Sequence, residues 1–305
     1  MKEILVASGK GGVGKTTVAA SLAVFLSERG FKLVAVDADV DAPNLSITLG
    51  GGKTKALHEI TISHKAVINP EKCSNCGKCV ETCQFGAVAR LEKSEPPVIA
   101  EILCEGCGAC VVACPEKAIR LEERRTGELR VEETKYGFPL VTGKLVLGEH
   151  NSGHLVTSAK KFGRLEAEKS GASLLVVDGA PGIGCPVIAS VAGADYVLAV
   201  TEPTPAAKRD LERLIHVVKH FGVPCGMVIN RADLSPRYRK EIREKISRKL
   251  AIPVLGEIPI DYEVLKALNS MTPIIRFNPE AKASKALKTI FKEVAETVLE
   301  GKAHA

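Results

Sequence analysis

Short, almost wholly apolar runs recur along most of the 305-residue chain, separated by longer stretches in which apolar and charged residues mix. Ile4-Leu5-Val6-Ala7, Leu33-Val34-Ala35-Val36, Leu174-Leu175-Val176-Val177, Tyr196-Val197-Leu198-Ala199-Val200 and Met227-Val228-Ile229 show no alternation, as expected of strands covered on both faces. Residues 15–29, 205–220 and 279–300 read as helices, the last carrying Ala283, Leu287, Ile290, Phe291, Val294 and Val298 on one stripe. The pattern predicts an α/β fold built on a mostly parallel sheet with helices on both faces. It fails between residues 50 and 135. There Gly50 to Val67 reads as a linker with a weak strand-like piece, and residues 121–135 as a charged hairpin turning at Thr126-Gly127. Pro139 to Leu147 reads as a strand returning to the sheet.

Candidate chemistry sits at the ends of the apolar runs and inside the break. Ser8-Gly9-Lys10-Gly11-Gly12-Val13-Gly14-Lys15-Thr16-Thr17 joins the first strand to the first helix and fits G-x-x-x-x-G-K-[ST] from Gly9 to Thr16. Its glycines let backbone N–H groups turn inward on phosphate oxygens, where the helix dipole adds positive potential. Lys15 is then placed for the β- and γ-phosphates and the Thr16 hydroxyl for Mg²⁺. The second strand ends in Asp37-Ala38-Asp39-Val40-Asp41, and Leu174–Val177 ends in Asp178, at the sheet edge where such folds bind ligands. Within the break, Cys73-x2-Cys76-x2-Cys79-x3-Cys83 is repeated as Cys104-x2-Cys107-x2-Cys110-x3-Cys114, offset by 31 residues. Paired zinc knuckles do not explain a third cysteine at x2 and a fourth at x3, whereas the spacing suits thiolates around two [4Fe–4S] clusters. Cys225 reads as a core residue, and Cys185 as a small buried residue at a helix N-terminus.

Composition narrows the classes. With 45% hydrophobic residues and mean hydropathy +0.09, the chain can bury a large core. No apolar run approaches the roughly 20 residues of a membrane helix, and the first strand begins without a leader pattern, so a cytoplasmic protein is expected. Glu293, Glu296 and Glu300 argue against the last helix as a membrane anchor. Net charge +6 comes from 42 basic residues dispersed among 36 acidic ones, and aromatic residues make up 4%, so neither a nucleic-acid patch nor a base-stacking platform is present. A single glutamine, Gln84, hints at a thermophilic source.

Lys10-Gly11-Gly12-Val13-Gly14-Lys15-Thr16-Thr17 resembles the deviant Walker A box of the MinD/ParA/Mrp and nitrogenase iron-protein superfamily of ATPases. The resemblance implies ATP or ADP bound with Mg²⁺, slow and partner-coupled hydrolysis, and an ATP-dependent homodimer in which Lys10 reaches the partner's nucleotide. It further implies that Asp37 and Asp178 serve the Mg²⁺ shell with Thr16, and that Asp39 orients the attacking water. Gly179 to Gly184 would form the segment sensing the γ-phosphate. Asn230 would read the adenine, and Pro259 would sit in the loop beside the base. Residues 65–122 resemble a two-cluster bacterial ferredoxin, which implies Cys73, Cys76, Cys79 and Cys114 on one cluster and Cys104, Cys107, Cys110 and Cys83 on the other. The expected organisation is an ATPase domain in two parts, 1–64 and 126–305, interrupted by a ferredoxin-like α+β insert at 65–125. Three functions follow from the resemblance: nucleotide-gated electron transfer to an unidentified redox or iron–sulfur partner, an Mrp-type cluster carrier, and a MinD- or ParA-type positioning ATPase. The last needs a membrane or DNA surface, and neither is expected as a partner.

Overall fold

In the computed structural model, which describes residues 1–92 and 94–299, the chain forms two units. The larger comprises Met1–His58, Leu129–Lys144 and the residues from Ser152 on; the smaller comprises Glu59–Glu128 and Leu145–Asn151. The smaller unit is therefore wider than the expected 65–125. The strands among the described residues are β1 (Lys2–Ser8), β2 (Leu33–Asp37), β3 (Gly52–Ile68), β4 (Val88–Ala89), β5 (Val98–Ile99), β6 (Ile119–Thr134), β7 (Pro139–Leu145), β8 (Leu174–Pro181), β9 (Tyr196–Thr201), β10 (Cys225–Asn230) and β11 (Val254–Ile258).

In the larger unit the sheet runs β11-β10-β9-β1-β8-β2-β7, every neighbouring pair parallel, and continues to β6 and β3. The helix Lys15–Glu28 is buried along most of its length, its Phe25 ring 5.5 Å from that of Phe291. Phe291 lies with Ala283, Leu287, Ile290 and Val294 on the buried stripe of Lys282–Leu299, so this helix docks on the core as its spacing predicts; Glu300 lies outside the described residues. The helix Ser152–Ser170 crosses β2 closely, since a Cβ at Gly163 would lie 2.5 Å from a Val36 methyl. No helix among the described residues is long and apolar enough to cross a membrane. In-register pairing sets Asp37, the last residue of β2, beside Asp178, three residues before the end of β8.

Two readings of the break are corrected. Gly52 to Ile68 is one 17-residue strand, not a linker. Its Lys, His, Glu and Thr residues are mostly exposed, and it ends the strand order, so it lacks the apolar pattern of a covered strand. Residues 121–135 are not a hairpin either: β6 runs straight through Thr126-Gly127, and the turn comes at Gly137 (φ 78°), before β7. Thr126 is fully buried, its hydroxyl accepting the N–H groups of Ile62 (2.9 Å) and Ser63 (2.7 Å) and donating to Ser63 Oγ (2.9 Å).

The smaller unit realises the cysteine repeat in its backbone. Each repeat has a single 3₁₀ turn, Pro70–Lys72 or Glu101–Leu103, then a left-handed glycine, Gly77 (φ 79°) or Gly108 (φ 77°), opening the short helix Lys78–Thr82 or Ala109–Ala113. β4 and β5 pair antiparallel, and Ala66, Cys79, Ala87, Val88, Cys104, Cys110 and Ile119 form the unit's core.

Candidate functional site

Beyond β1 the chain turns left-handed at Gly12 (φ 78°) and Gly14 (φ 94°), and Lys15 begins the helix. A side chain at Gly14 would be strained by that φ and would also collide with the Asn230 amide. Lys15 is 6% exposed and folds back onto acids, its Nζ 2.6 Å from Asp178 Oδ1 and 3.9 Å from Asp39 Oδ2. Asp37 and Asp178 are fully buried. Asp37 accepts the N–H groups of Leu45 (2.8 Å) and Asp39 (3.2 Å). Burial, reinforced by the charge of Asp178, nevertheless pushes its carboxyl up to about 8. Burial likewise raises Asp39, against the pull of Lys15. Asp178 Oδ2 is buried without a hydrogen-bond partner.

Asp39 and Asp178 share the single Lys15 ammonium, Asp37 lies beside Asp178, and Asp178 Oδ2 is left without a partner. These residues fit Mg²⁺. Among the described residues no group of three or more His, Cys, Asp or Glu is placed to hold a single metal ion, so these carboxylates alone do not make a Mg²⁺ site.

Beside the loop lies a cavity of about 300 Å³ lined by Gly14, Thr17, Val18, Asn230, Pro259 and Tyr262, among others. Asn230 donates from Nδ2 to the Val13 carbonyl (2.7 Å), which fixes its amide against the loop. Asn230 and Pro259 thus lie at one mouth with the phosphate loop, although they are 29 residues apart in sequence.

Glu202 and Arg231 were not singled out from the sequence. Glu202, 5% exposed at the end of β9, receives Lys10 Nζ on one oxygen (3.0 Å) and Arg231 on the other (2.8 Å). Lys10 is therefore tied within its own chain, as is the cation neighbouring Asn230. The only signal was the position of Glu202 at a strand end, since the pairing spans 192 residues. Cys185 departs from expectation. It is exposed, because it is the first residue of the helix Cys185–Val191, with Gly184 exposed before it and the buried face beginning at Val187.

The eight clustered cysteines divide into two cavities. Cys73, Cys76, Cys79 and Cys114 line one; Cys104, Cys107, Cys110 and Cys83 line the other. Each repeat thus lends its fourth cysteine to the other's cavity. Ala118 N–H points to Cys114 Sγ (3.3 Å) and Ala66 N–H to Cys104 Sγ (3.4 Å). Burial pushes the Cys79 and Cys110 thiols up. At Cys83 burial acts the same way, but N–H groups of Phe85, Ala87, Val88 and Gly86 outweigh it and lower the thiol. Thiols converging from two loops, with N–H donors aimed at sulfur, fit a thiolate-ligated cluster.

Comparison with known proteins bears on the nucleotide side. The profile of the CobQ/CobB/MinD/ParA nucleotide binding domain matches residues 4–274. A Methanocaldococcus jannaschii protein described only as uncharacterized is 34% identical over 296 residues, covering 97% of both chains. An iron-sulfur cluster carrier protein of Pyrococcus horikoshii is 25% identical, covering 97% of this chain and 85% of its own length. Among solved structures, the septum site-determining protein MinD complexed with Mg-ADP from P. horikoshii superposes with a TM-score of 0.58 at 20% identity, covering 99% of each chain, a likeness of fold.

Proposed function

We propose a function from one premise: the chain belongs to the CobQ/CobB/MinD/ParA family of nucleotide-binding proteins. Membership supports ATPase activity in general. The finer reading is a Mg²⁺-dependent ATPase whose nucleotide state gates electron transfer through two [4Fe–4S] clusters. The observation that carries it is the division of eight cysteines into two four-cysteine cavities, each completed by the other repeat. These cysteines lie in the chain between Asp39, expected to orient the attacking water, and the segment Gly179–Gly184, expected to sense the γ-phosphate.

Mg²⁺ would neutralise charge developing on the phosphates. The rest falls to side chains of this protein. On nucleotide binding Lys15 leaves Asp178 for the phosphates, which frees Asp178 for the water shell of the ion. Asp37 keeps its backbone N–H bonds and stays oriented, Asp39 positions the attacking water, and Asn230 and Pro259 hold the base. Lys10 exchanges Glu202 for the nucleotide of a second copy, so hydrolysis requires a dimer. A [4Fe–4S] cluster in each cavity would store one electron.

The carrier reading has its own support in the P. horikoshii relative, whose name is a cluster carrier. One experiment separates the two. On anaerobically purified protein, reduction potentials and electron transfer to a small acceptor are measured with ATP and with ADP. Values that differ between nucleotides support gating. Values identical in both, together with ready release of iron and sulfide to an apo-ferredoxin, support the carrier.

A further inference from the structure

The two cysteine cavities are built alike and equipped differently. The 31-residue repeat extends to matched hydrogen bonds: Asn69 N–H to Ala118 O (2.7 Å) corresponds to Ala100 N–H to Ala87 O (2.8 Å). Position 66 therefore corresponds to 97, and position 65 to 96. Ala66 lines the cavity of Cys83, Cys104, Cys107 and Cys110, and Pro97 lines the other.

At the first cavity Ala66 gives its N–H to Cys104 Sγ at 3.4 Å. Next to it Lys65, 4% exposed, donates from its ammonium to the Cys104 carbonyl at 2.8 Å. Glu149 lies 3.6 Å from that ammonium, but the ammonium is the member of the pair that bonds the cysteine residue. At the second cavity the corresponding residues are Pro96 and Pro97. Proline has no N–H to give Cys73, and neither residue carries charge. Ala118 N–H, from outside this pair of positions, still reaches Cys114 Sγ (3.3 Å) in the second cavity.

Reduction of a thiolate-ligated cluster adds a negative charge, which N–H donors to sulfur and a nearby cation stabilise. We infer that Lys65 and Ala66 set the two reduction potentials apart, so that the first electron resides at the site of Cys83, Cys104, Cys107 and Cys110. One electron leaves an outside reductant such as dithionite and one is taken up there; the Cys73, Cys76, Cys79 and Cys114 site is filled second and is the stronger donor. The inference rests on the reading that each cavity holds a [4Fe–4S] cluster.

The test is a dithionite titration of the full-length, anaerobically reconstituted protein with redox mediators, followed by electron paramagnetic resonance after iron and sulfide analysis. Wild type is expected to show two waves. Pro97→Ala supplies the missing donor to Cys73 and should raise the lower wave while leaving the upper one in place. Lys65→Met should lower the upper wave alone. A single wave in fully loaded wild type, or a Pro97→Ala shift in the upper wave or in neither, overturns the inference. If Lys65→Met does not fold because Glu149 is left buried, Pro97→Ala decides by itself. Wild type holding well under about eight irons per chain defeats the cluster reading itself, a failure visible before any potential is measured.

Discussion

Lys160 offers the sharpest test of how the larger unit is held together. It is 2% exposed on the helix Ser152–Ser170, and its ammonium meets Glu3 Oε1 at 2.7 Å. It also donates to the carbonyls of Ser190 (2.6 Å) and Ala192 (2.7 Å), at the end of the helix that begins with Cys185. Burial pulls its pKa below the ordinary lysine value, while Glu3 opposes that. Lys160→Met keeps the length and most of the packing of the stem but removes the charge. The buried Glu3 then retains only Arg164, 2.7 Å from its other oxygen, and two helix-end carbonyls lose their donor. Removing one partner of a buried pair costs about 3–5 kcal/mol. At about 2–4 °C per kcal/mol for a domain of roughly 200 residues, the melting temperature falls by about 6–20 °C. Thermal unfolding followed by far-ultraviolet circular dichroism reads this directly. Adding Glu3→Leu should recover part of the loss, because an apolar pair leaves no uncompensated charge. A fall of less than about 2 °C in the single variant, or a double variant that loses the sum of both single effects, refutes the account.

Three further outcomes are expected. Lys10→Ala should abolish ATP hydrolysis while labelled nucleotide still binds, since Lys10 touches Glu202 and does not line the cavity of Asn230 and Pro259; turnover at the wild-type rate would remove its role. Thr126→Val should cost about 1–3 kcal/mol by urea titration, because the Ile62 and Ser63 N–H groups lose their acceptor, whereas Thr126→Ser should lose little. Between pH 7 and 9 iodoacetamide should label exposed Cys185 and spare Cys225. Burial pushes the Cys225 thiol up to about 11, so the reactive thiolate accumulates only as pH approaches that value. Equal labelling of both at pH 8 would contradict this.

What was legible in the sequence was whatever is local. The loop from Gly9 to Thr17, the acids that follow the apolar runs Leu33–Val36 and Leu174–Val177, and the cysteine repeat each declare themselves through spacing within a few residues, and the parallel sheet through strands covered on both faces. What was not legible depends on distant neighbours. β3 is a strand because of its place in the sheet, while its own residues are mostly polar and exposed. Thr126 looked like a turn residue, and only the backbone of Ile62 and Ser63 makes it a buried acceptor. Glu202 gains meaning from Lys10 and Arg231 together, and no pattern links three residues so far apart. The exposure of Cys185 follows from which side of a short helix its first residue occupies, which two apolar neighbours do not determine.

The exchange of the fourth cysteine between repeats makes the two cavities interdependent. A segment carrying one repeat alone would close neither, for it holds three of the four thiols of one cavity and a single thiol of the other. Loss of either repeat therefore opens both cavities at once.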